Sequence, residues 1–109
     1  MVAILISLLA LLPRSMLYVP AINKRALDKL DSLLPSARPD AILFDLEDGV
    51  GIDRKEEARD NLIQFFQKKK DRDDMTYGIL RINGVDTRWF HDDASLAMKM
   101  VANKGTNIN

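Results

Sequence analysis

Three acidic residues and a glycine close an apolar segment near the middle of this sequence. The segment reads AILFDLEDGV over residues 41–50, so that Asp45, Glu47 and Asp48 come at its far end. Carboxylates are seldom fully buried unless they are paired or bound to something. Because parallel α/β folds carry their chemistry at the carboxyl ends of their strands, we predict a functional site at the end of this segment.

The elements that would position these acids alternate between two periodicities. Apolar runs rich in β-branched and aromatic residues predict strands over residues 15–20, 41–46 and 77–82. Each run is followed by a segment with helical apolar spacing, over residues 23–34, over residues 53–70, and from Asp92 or Asp93 to residues 104–105. This order predicts an α/β fold with parallel strands and right-handed crossovers.

Two side chains stand where helix caps are expected. Asn23 precedes the first helical segment, and its side chain can accept a hydrogen bond from an N–H of the first turn. Asp53 precedes the second segment, with Glu56 three residues later in the spacing of a capping box. We therefore expect the first two helices to start at these positions.

Side chains alternate along a strand, which sorts the polar residues of the three strands by face. Arg14 and Tyr18 share one face of the first strand, Asp45 and Glu47 one face of the second, and Arg81 lies on the third. If these faces point the same way, Arg14 and Arg81 can balance Asp45 and Glu47. Two interpretations remain open, a closed internal ion-pair network and a pocket for an anion or a metal complex.

The second helical segment carries Lys55 and Arg59, four residues apart near its start. Cations beside the exposed N–H groups at the start of a helix can bind a phosphate. The alternative is an ordinary solvated face on which these cations pair with Glu56 or Asp60. The same two interpretations apply to Lys24, Arg25 and Lys29 on the first helical segment.

The composition excludes several classes of protein. The 109 residues include 16 Lys and Arg against 16 Asp and Glu, and this balance gives no indication of a nucleic acid or an anionic membrane as partner. The chain has no cysteine, which excludes a disulfide framework and a thiolate metal site. The size is that of one small domain.

An apolar stretch opens the chain, with Ser7 as the only polar residue among the first twelve. It is too short to span a bilayer, which needs about 20 residues. Three interpretations remain: a short export or anchor segment, a helix packed on its own domain, or a spurious or alternative start. We treat residues 1–13 as a segment apart from residues 14–109.

Five sequence blocks in a fixed order carry a family resemblance. They are RSMLYVP, FDLEDGV, KEEAR, LRING and TRW, which run from about Arg14 to about Met100. In these blocks the chain resembles the citrate lyase β-subunit-like family of the HpcH/HpaI aldolase group, which includes malyl-CoA and citramalyl-CoA lyases. The resemblance implies a partial (β/α)8 TIM barrel, about the first three βα units, since a full barrel takes roughly 200 or more residues.

The function that the resemblance implies is a magnesium-dependent carbon–carbon lyase acting on a 3-hydroxyacyl-CoA. The family's metal ligands lie on later strands, so we expect them beyond Asn109 and expect this chain alone to be inactive. A homotrimer or homohexamer in the cytoplasm or the mitochondrial matrix is implied as well. The alternative is a truncated, non-enzymatic product that binds or regulates the full-length lyase.

The resemblance also implies roles for individual residues. Arg81 would bind the carbonyl or carboxylate of the substrate, and Asp45 and Glu47 would organise the site by holding Arg14, Arg81 and metal-bound water. Arg25 stands where a lysine is common in the family. The residues implied in binding substrate or CoA are Arg14, Tyr18, Arg25, Lys29, Arg54, Lys55, Arg59 and Arg81.

Overall fold

The computed structural model describes residues 2–4, 14–68 and 78–105. Within these ranges the chain forms four strands, three α-helices and one short 3-10 turn. In chain order they are β1 (Val2–Ile4), β2 (Met16–Pro20), α1 (Lys24–Leu33), β3 (Ala41–Asp45), the 3-10 turn (Ile52–Arg54), α2 (Lys55–Gln67), β4 (Gly78–Ile82) and α3 (Phe90–Gly105).

The strands form a single sheet in the order β1-β4-β3-β2. β2 pairs with β3 and β3 with β4 in parallel, as the alternation of strands and helices predicted. β1 was not predicted, and it pairs with β4 in the antiparallel direction. The idea of an N-terminal helix is therefore wrong for residues 2–4, because the edge of β4 offers unpaired backbone groups to an extended segment. Residues 5–13 lie outside the described part.

One face of the sheet packs against the helices and forms the core. Apolar side chains of all three parallel strands contribute to it, together with residues of α1 and α2. Val19, Phe44 and Ile82 are all buried in that cluster. Phe44 lies 5.6 Å from Phe65 between ring centroids, which joins β3 to α2.

The opposite face of the sheet carries the alternate side chains of each strand. The strand register aligns Tyr18 with Leu43, and on the other side of β3 it aligns Asp45 with Arg81. Tyr18 is exposed on this face, whereas Ile79 is buried. Three parallel strands with helices on one face are consistent with part of a β/α barrel, whose interior this second face would line.

The two predicted helix caps differ in outcome. The Asn23 side chain accepts a hydrogen bond from the N–H of Ala26 at 3.0 Å, so the cap of α1 is confirmed. The predicted cap at Asp53 is wrong, because Asp53 lies inside the 3-10 turn and α2 begins at Lys55. The N–H of Arg54 bonds to the carbonyl of Gly51 at 3.0 Å, which closes that turn before the helix begins.

Helix α3 begins earlier than predicted. Its first residue is Phe90, so Asp92 and Asp93 lie in its first turn instead of starting the helix. Acidic residues in this position stabilise the positive end of the helix dipole. Within the described ranges, we find no helix whose length and apolar character would suffice for a bilayer crossing.

Candidate functional site at the strand ends

Asp45, the last residue of β3, is the centre of a cluster at the carboxyl ends of the strands. Its carboxylate is fully buried, with 0% exposure. Oδ1 accepts a hydrogen bond from Arg81 Nε at 2.9 Å, and Oδ2 accepts one from Arg81 Nη2 at 2.7 Å. The hydroxyl of Tyr18 donates to Oδ2 at 2.5 Å. Strands β2, β3 and β4 thus each contribute one side chain, as strand parity predicted.

The loop after β3 folds back onto the same carboxylate. The backbone N–H of Glu47 donates to Asp45 Oδ1 at 2.8 Å, and that of Gly49 donates to Oδ2 at 2.8 Å. A Cβ atom at Gly49 would lie 2.5 Å from the Tyr18 hydroxyl oxygen and 3.0 Å from Asp45 Oδ2. Only glycine allows the backbone to approach the carboxylate this closely.

The charges of the cluster stabilise one another. Burial alone would raise the pKa of Asp45, but the hydrogen bonds from Arg81, Tyr18 and the two backbone N–H groups outweigh it and hold that pKa well below its ordinary value. The hydrogen bond to Asp45 raises the pKa of Arg81. Burial and the hydrogen bond to Asp45 raise the pKa of Tyr18. At neutral pH the cluster therefore holds a carboxylate, a guanidinium and a neutral phenol.

Two further acids surround the Arg81 guanidinium. Glu47 Oε1 lies 3.8 Å from Arg81 Nε, and Asp48 Oδ2 lies 3.6 Å from Nη1. The Arg81 side chain is 18% exposed, and that of Asp48 is 71% exposed. The exposed Asp48 side chain thus lies on the Nη1 side of the guanidinium. A guanidinium held in a fixed plane is suited to recognise a carboxylate or a carbonyl oxygen.

The described acids do not fit a magnesium site. Both oxygens of Asp45 already accept hydrogen bonds, and Glu47 lies beside Arg81. Among the residues that the structure describes, no group of three or more histidine, aspartate or glutamate side chains is arranged to hold a metal ion. The expectation that the metal ligands lie beyond Asn109 stays a prediction.

Arg14 does not join the cluster, which corrects the predicted charge balance. Its side chain is 93% exposed, and its Nε lies 3.8 Å from Asp40 Oδ2. Arg14 precedes β2, so it lies at the amino end of the sheet, whereas Asp45 lies at the carboxyl end. Arg81 alone of the two predicted arginines pairs with Asp45 and approaches Glu47.

The cations that the resemblance assigns to CoA fall into two groups. Arg25 and Lys29 are exposed on α1, and Arg54 is exposed and pairs with Glu57 at 3.0 Å. Lys55 is buried and donates to backbone carbonyls. Arg59 pairs with the buried Asp93 at 3.0 Å. The alternative of a solvated helix face, on which Arg59 pairs with Glu56 or Asp60, is therefore wrong for this residue.

A buried polar network below the loop was missed by the sequence analysis. Asp93 is fully buried; its Oδ2 accepts hydrogen bonds from the backbone N–H and the side chain of Asn83, at 3.0 and 2.6 Å. Asn83 Nδ2 also donates to the carbonyl of Leu46 at 3.0 Å. The available signal in the sequence was Asp93 itself, an acid in an apolar helix face, which was interpreted only as a helix start.

Comparison with known proteins places this site in a family. Residues 14–104 match the model of the family described as HpcH/HpaI aldolase/citrate lyase. The chain belongs to this family. The HpcH/HpaI match includes Tyr18, Asp45 and Arg81, so it covers the whole cluster and confirms the resemblance identified from the five sequence blocks.

Two relatives are similar to most of the chain. The chain is 43% identical over 86 residues to a (3S)-malyl-CoA thioesterase of Cereibacter sphaeroides, which covers 75% of this chain and 27% of that protein. It is 35% identical over 86 residues to the citrate lyase subunit beta of Escherichia coli, which covers 79% of this chain and 26% of that protein. The chain thus spans about a quarter of the length of these HpcH/HpaI relatives.

Proposed function

We propose that this chain supplies strands β2, β3 and β4 to the active site of a magnesium-dependent carbon–carbon lyase that acts on a 3-hydroxyacyl-CoA. The observation that carries the proposal is the bidentate pairing of Arg81 with Asp45 at the carboxyl ends of neighbouring parallel strands. Membership of the aldolase/citrate lyase family and the relative named citrate lyase subunit beta support this class of reaction. The relative named (3S)-malyl-CoA thioesterase supports a CoA thioester as the substrate.

Arg81 is proposed as the substrate-binding cation. Its Nε and Nη2 donate to Asp45, so an oxygen of the substrate would contact Nη1, where it would displace the exposed Asp48 carboxylate that lies 3.6 Å away. A fixed positive charge there would stabilise negative charge that develops on that oxygen as the carbon–carbon bond breaks. Asp45 is a positioning residue in this proposal, because it holds the plane of the guanidinium.

Exposed cations are proposed to contact the phosphates of CoA. Arg25 and Lys29 lie on the solvent side of α1, and Arg54 lies just before α2. Magnesium is part of the proposal, and its ligands would come from residues other than those described, which do not fit a metal site. None of the roles proposed for Arg81, Asp45 or the exposed cations depends on the metal.

A graft into a longer relative tests the proposal. Residues 14–104 would replace the matching segment of the Escherichia coli citrate lyase subunit beta, and cleavage of the carbon–carbon bond in citryl, malyl and citramalyl thioesters of CoA would be measured with magnesium present, separately from hydrolysis of the thioester. We expect an active graft in which Arg81→Ala lowers kcat/KM by about 100-fold or more, the loss typical of a charged group that contacts the reacting oxygen. Arg81→Lys should retain part of the activity, because it keeps the charge and loses the planar fork.

The matched control is Arg38→Ala, which removes an exposed arginine outside the cluster. It should leave kcat/KM within twofold of the unmodified graft. An inactive graft that is nevertheless folded would count against the proposed function. An Arg81→Ala graft with unchanged kcat/KM would refute the role assigned to Arg81.

A further inference from the structure

Lys55 places a buried ammonium group directly below the loop that follows β3. The residue is only 6% exposed, although it is the first residue of α2. Its Nζ donates to the carbonyl of Leu46 at 3.0 Å and to the carbonyl of Glu47 at 2.6 Å. The same Nζ lies 5.4 Å from the centroid of the Trp89 ring, within the range of a cation–π contact. Lys55 thus joins α2 to the loops after β3 and β4.

The carbonyl of Leu46 has a second buried donor. Asn83 Nδ2 donates to it at 3.0 Å, and Asn83 itself is held by Asp93 at 2.6 Å. Asp93 in turn accepts a hydrogen bond from Arg59 at 3.0 Å. Lys55 and the Asn83–Asp93–Arg59 group therefore fix one carbonyl from two directions.

That carbonyl belongs to the same peptide group as the N–H of Glu47. The N–H of Glu47 donates to Asp45 Oδ1 at 2.8 Å, and Asp45 Oδ1 also accepts from Arg81 Nε at 2.9 Å. A peptide group is planar, and its C=O and N–H point in opposite directions. The hydrogen bonds from Lys55 and Asn83 that fix the Leu46 carbonyl therefore also fix the direction in which the Glu47 N–H points, which is toward Asp45. A continuous series of hydrogen bonds leads from Lys55 through this peptide group and Asp45 to Arg81.

We infer that Lys55 is a positioning residue for the Arg81 guanidinium, acting through the peptide group between Leu46 and Glu47 and through the Asp45 carboxylate. This inference rests on the proposed function only in so far as Arg81 binds substrate. It gives Lys55 a role other than the phosphate contact that the family resemblance implies, since two carbonyls and an aromatic ring already surround its ammonium group.

The test uses the full 109-residue chain and compares wild type with Lys55→Met, which keeps the length of the side chain and removes the donors. Amide hydrogen exchange by NMR should show the Glu47 N–H exchanging at least 10-fold faster in K55M. The Leu34 N–H, which bonds to Leu30 within α1, serves as the reference and should keep its rate. The Arg81 Nε–H signal should shift as well, because the carboxylate that it contacts loses one of its fixed donors.

Lys99→Met is the matched control, because Lys99 is exposed on α3 and has no proposed role. It should leave the Glu47 exchange rate and the Arg81 signal unchanged. If the spectrum of K55M is not that of a folded protein, the same measurement is made on Lys55→Gln. Its shorter side chain keeps an N–H donor, so the Glu47 exchange rate should lie between those of wild type and a variant without the donor. Unchanged Glu47 exchange, or an equal increase at Leu34, would overturn the inference.

Two further measurements separate this inference from its alternatives. Trp89 is the only tryptophan of the chain, so its fluorescence reports on the ring beside Lys55. A CoA titration that changes this emission in wild type and not in K55M would assign Lys55 to phosphate binding and overturn the inference.

In the graft, K55M should raise KM about 10-fold and Lys55→Gln less. An inactive unmodified graft would reject the proposed function and leave the exchange result as an independent test of positioning.

Discussion

Arg81 meets Asp45 through two parallel hydrogen bonds, from Nε to Oδ1 at 2.9 Å and from Nη2 to Oδ2 at 2.7 Å. The two residues are direct partners in the register of β4 and β3. Because the sheet fixes both backbones, only the two side chains remain to be ordered when the pair forms. The geometry is that of the strong fork-to-fork ion pair.

Loss of the Asp45 charge should destabilise the fold. Asp45→Asn leaves the Arg81 guanidinium without its bidentate partner, and breaking one side of such a buried pair costs about 3 kcal/mol. We expect that decrease in the free energy of unfolding, measured by urea denaturation. Glu57→Gln is the control, since its partner Arg54 is exposed, and it should not move the midpoint measurably. Equal stability of D45N and wild type would contradict the role of the pair.

Acid should weaken the fold through the same carboxylate. The pKa of Asp45 is lowered in the folded state, so its contribution is present above the unfolded value of about 3.9 and is lost as pH falls through the lower folded value. The free energy of unfolding should therefore fall between about pH 4 and pH 2, measured by urea titrations at several pH values. In D45N the free energy of unfolding should fall less steeply with decreasing pH. A wild-type slope no steeper than that of D45N would contradict the prediction.

Tyr18 should ionise only at unusually high pH. Burial and the hydrogen bond to Asp45 raise its pKa above the ordinary value of about 10. The chain has a second tyrosine, Tyr77, so the titration is measured at 295 nm in a Tyr77→Phe background. Phenolate absorbance should rise with a midpoint above pH 10, and Asp45→Asn should lower that midpoint because it removes a nearby negative charge. A midpoint at or below 10 in Y77F would refute this expectation.

A methyl group at Gly49 should be poorly tolerated. Gly49→Ala places Cβ 2.5 Å from the Tyr18 hydroxyl oxygen, and such overpacking costs about 1–3 kcal/mol. Tyr18→Phe removes that oxygen, so the cost of G49A should be smaller in the Y18F background, as a double-mutant cycle measures. Gly51→Ala is the matched control, because its nearest neighbour is the exposed Asp53 side chain at 3.3 Å. Equal costs at both glycines would contradict the close approach.

The faces of the strands could be predicted from the sequence because parity depends only on the local backbone. Tyr18, Asp45 and Arg81 therefore meet as expected. The prediction for Arg14 was wrong because the alternation of side chains shows which face a residue lies on and does not show how far along the strand it lies. Six residues separate Arg14 from Pro20, the register partner of Asp45, which at about 3.3 Å per residue is about 20 Å.

The buried position of Lys55 could not be predicted for a different reason. Its partners are the backbone carbonyls of Leu46 and Glu47, and a sequence shows which side chains are present without showing where carbonyls point. The failed cap at Asp53 has a similar origin, since a 3-10 turn moved the N-cap position by one residue, to Arg54. The cap at Asn23 succeeded because it needs only the local backbone of one helix turn.

Pairing with β1 gives β4 a neighbour on both of its edges, since β3 occupies the other. The residues of β1 face Leu80, Arg81 and Ile82, which are the positions that a following parallel strand of a barrel would also use. Each backbone N–H and C=O on that edge can serve one strand at a time. Closing a barrel beside β4 and keeping β1 in place are therefore mutually exclusive, and any barrel that includes this sheet must first exchange one strand for another.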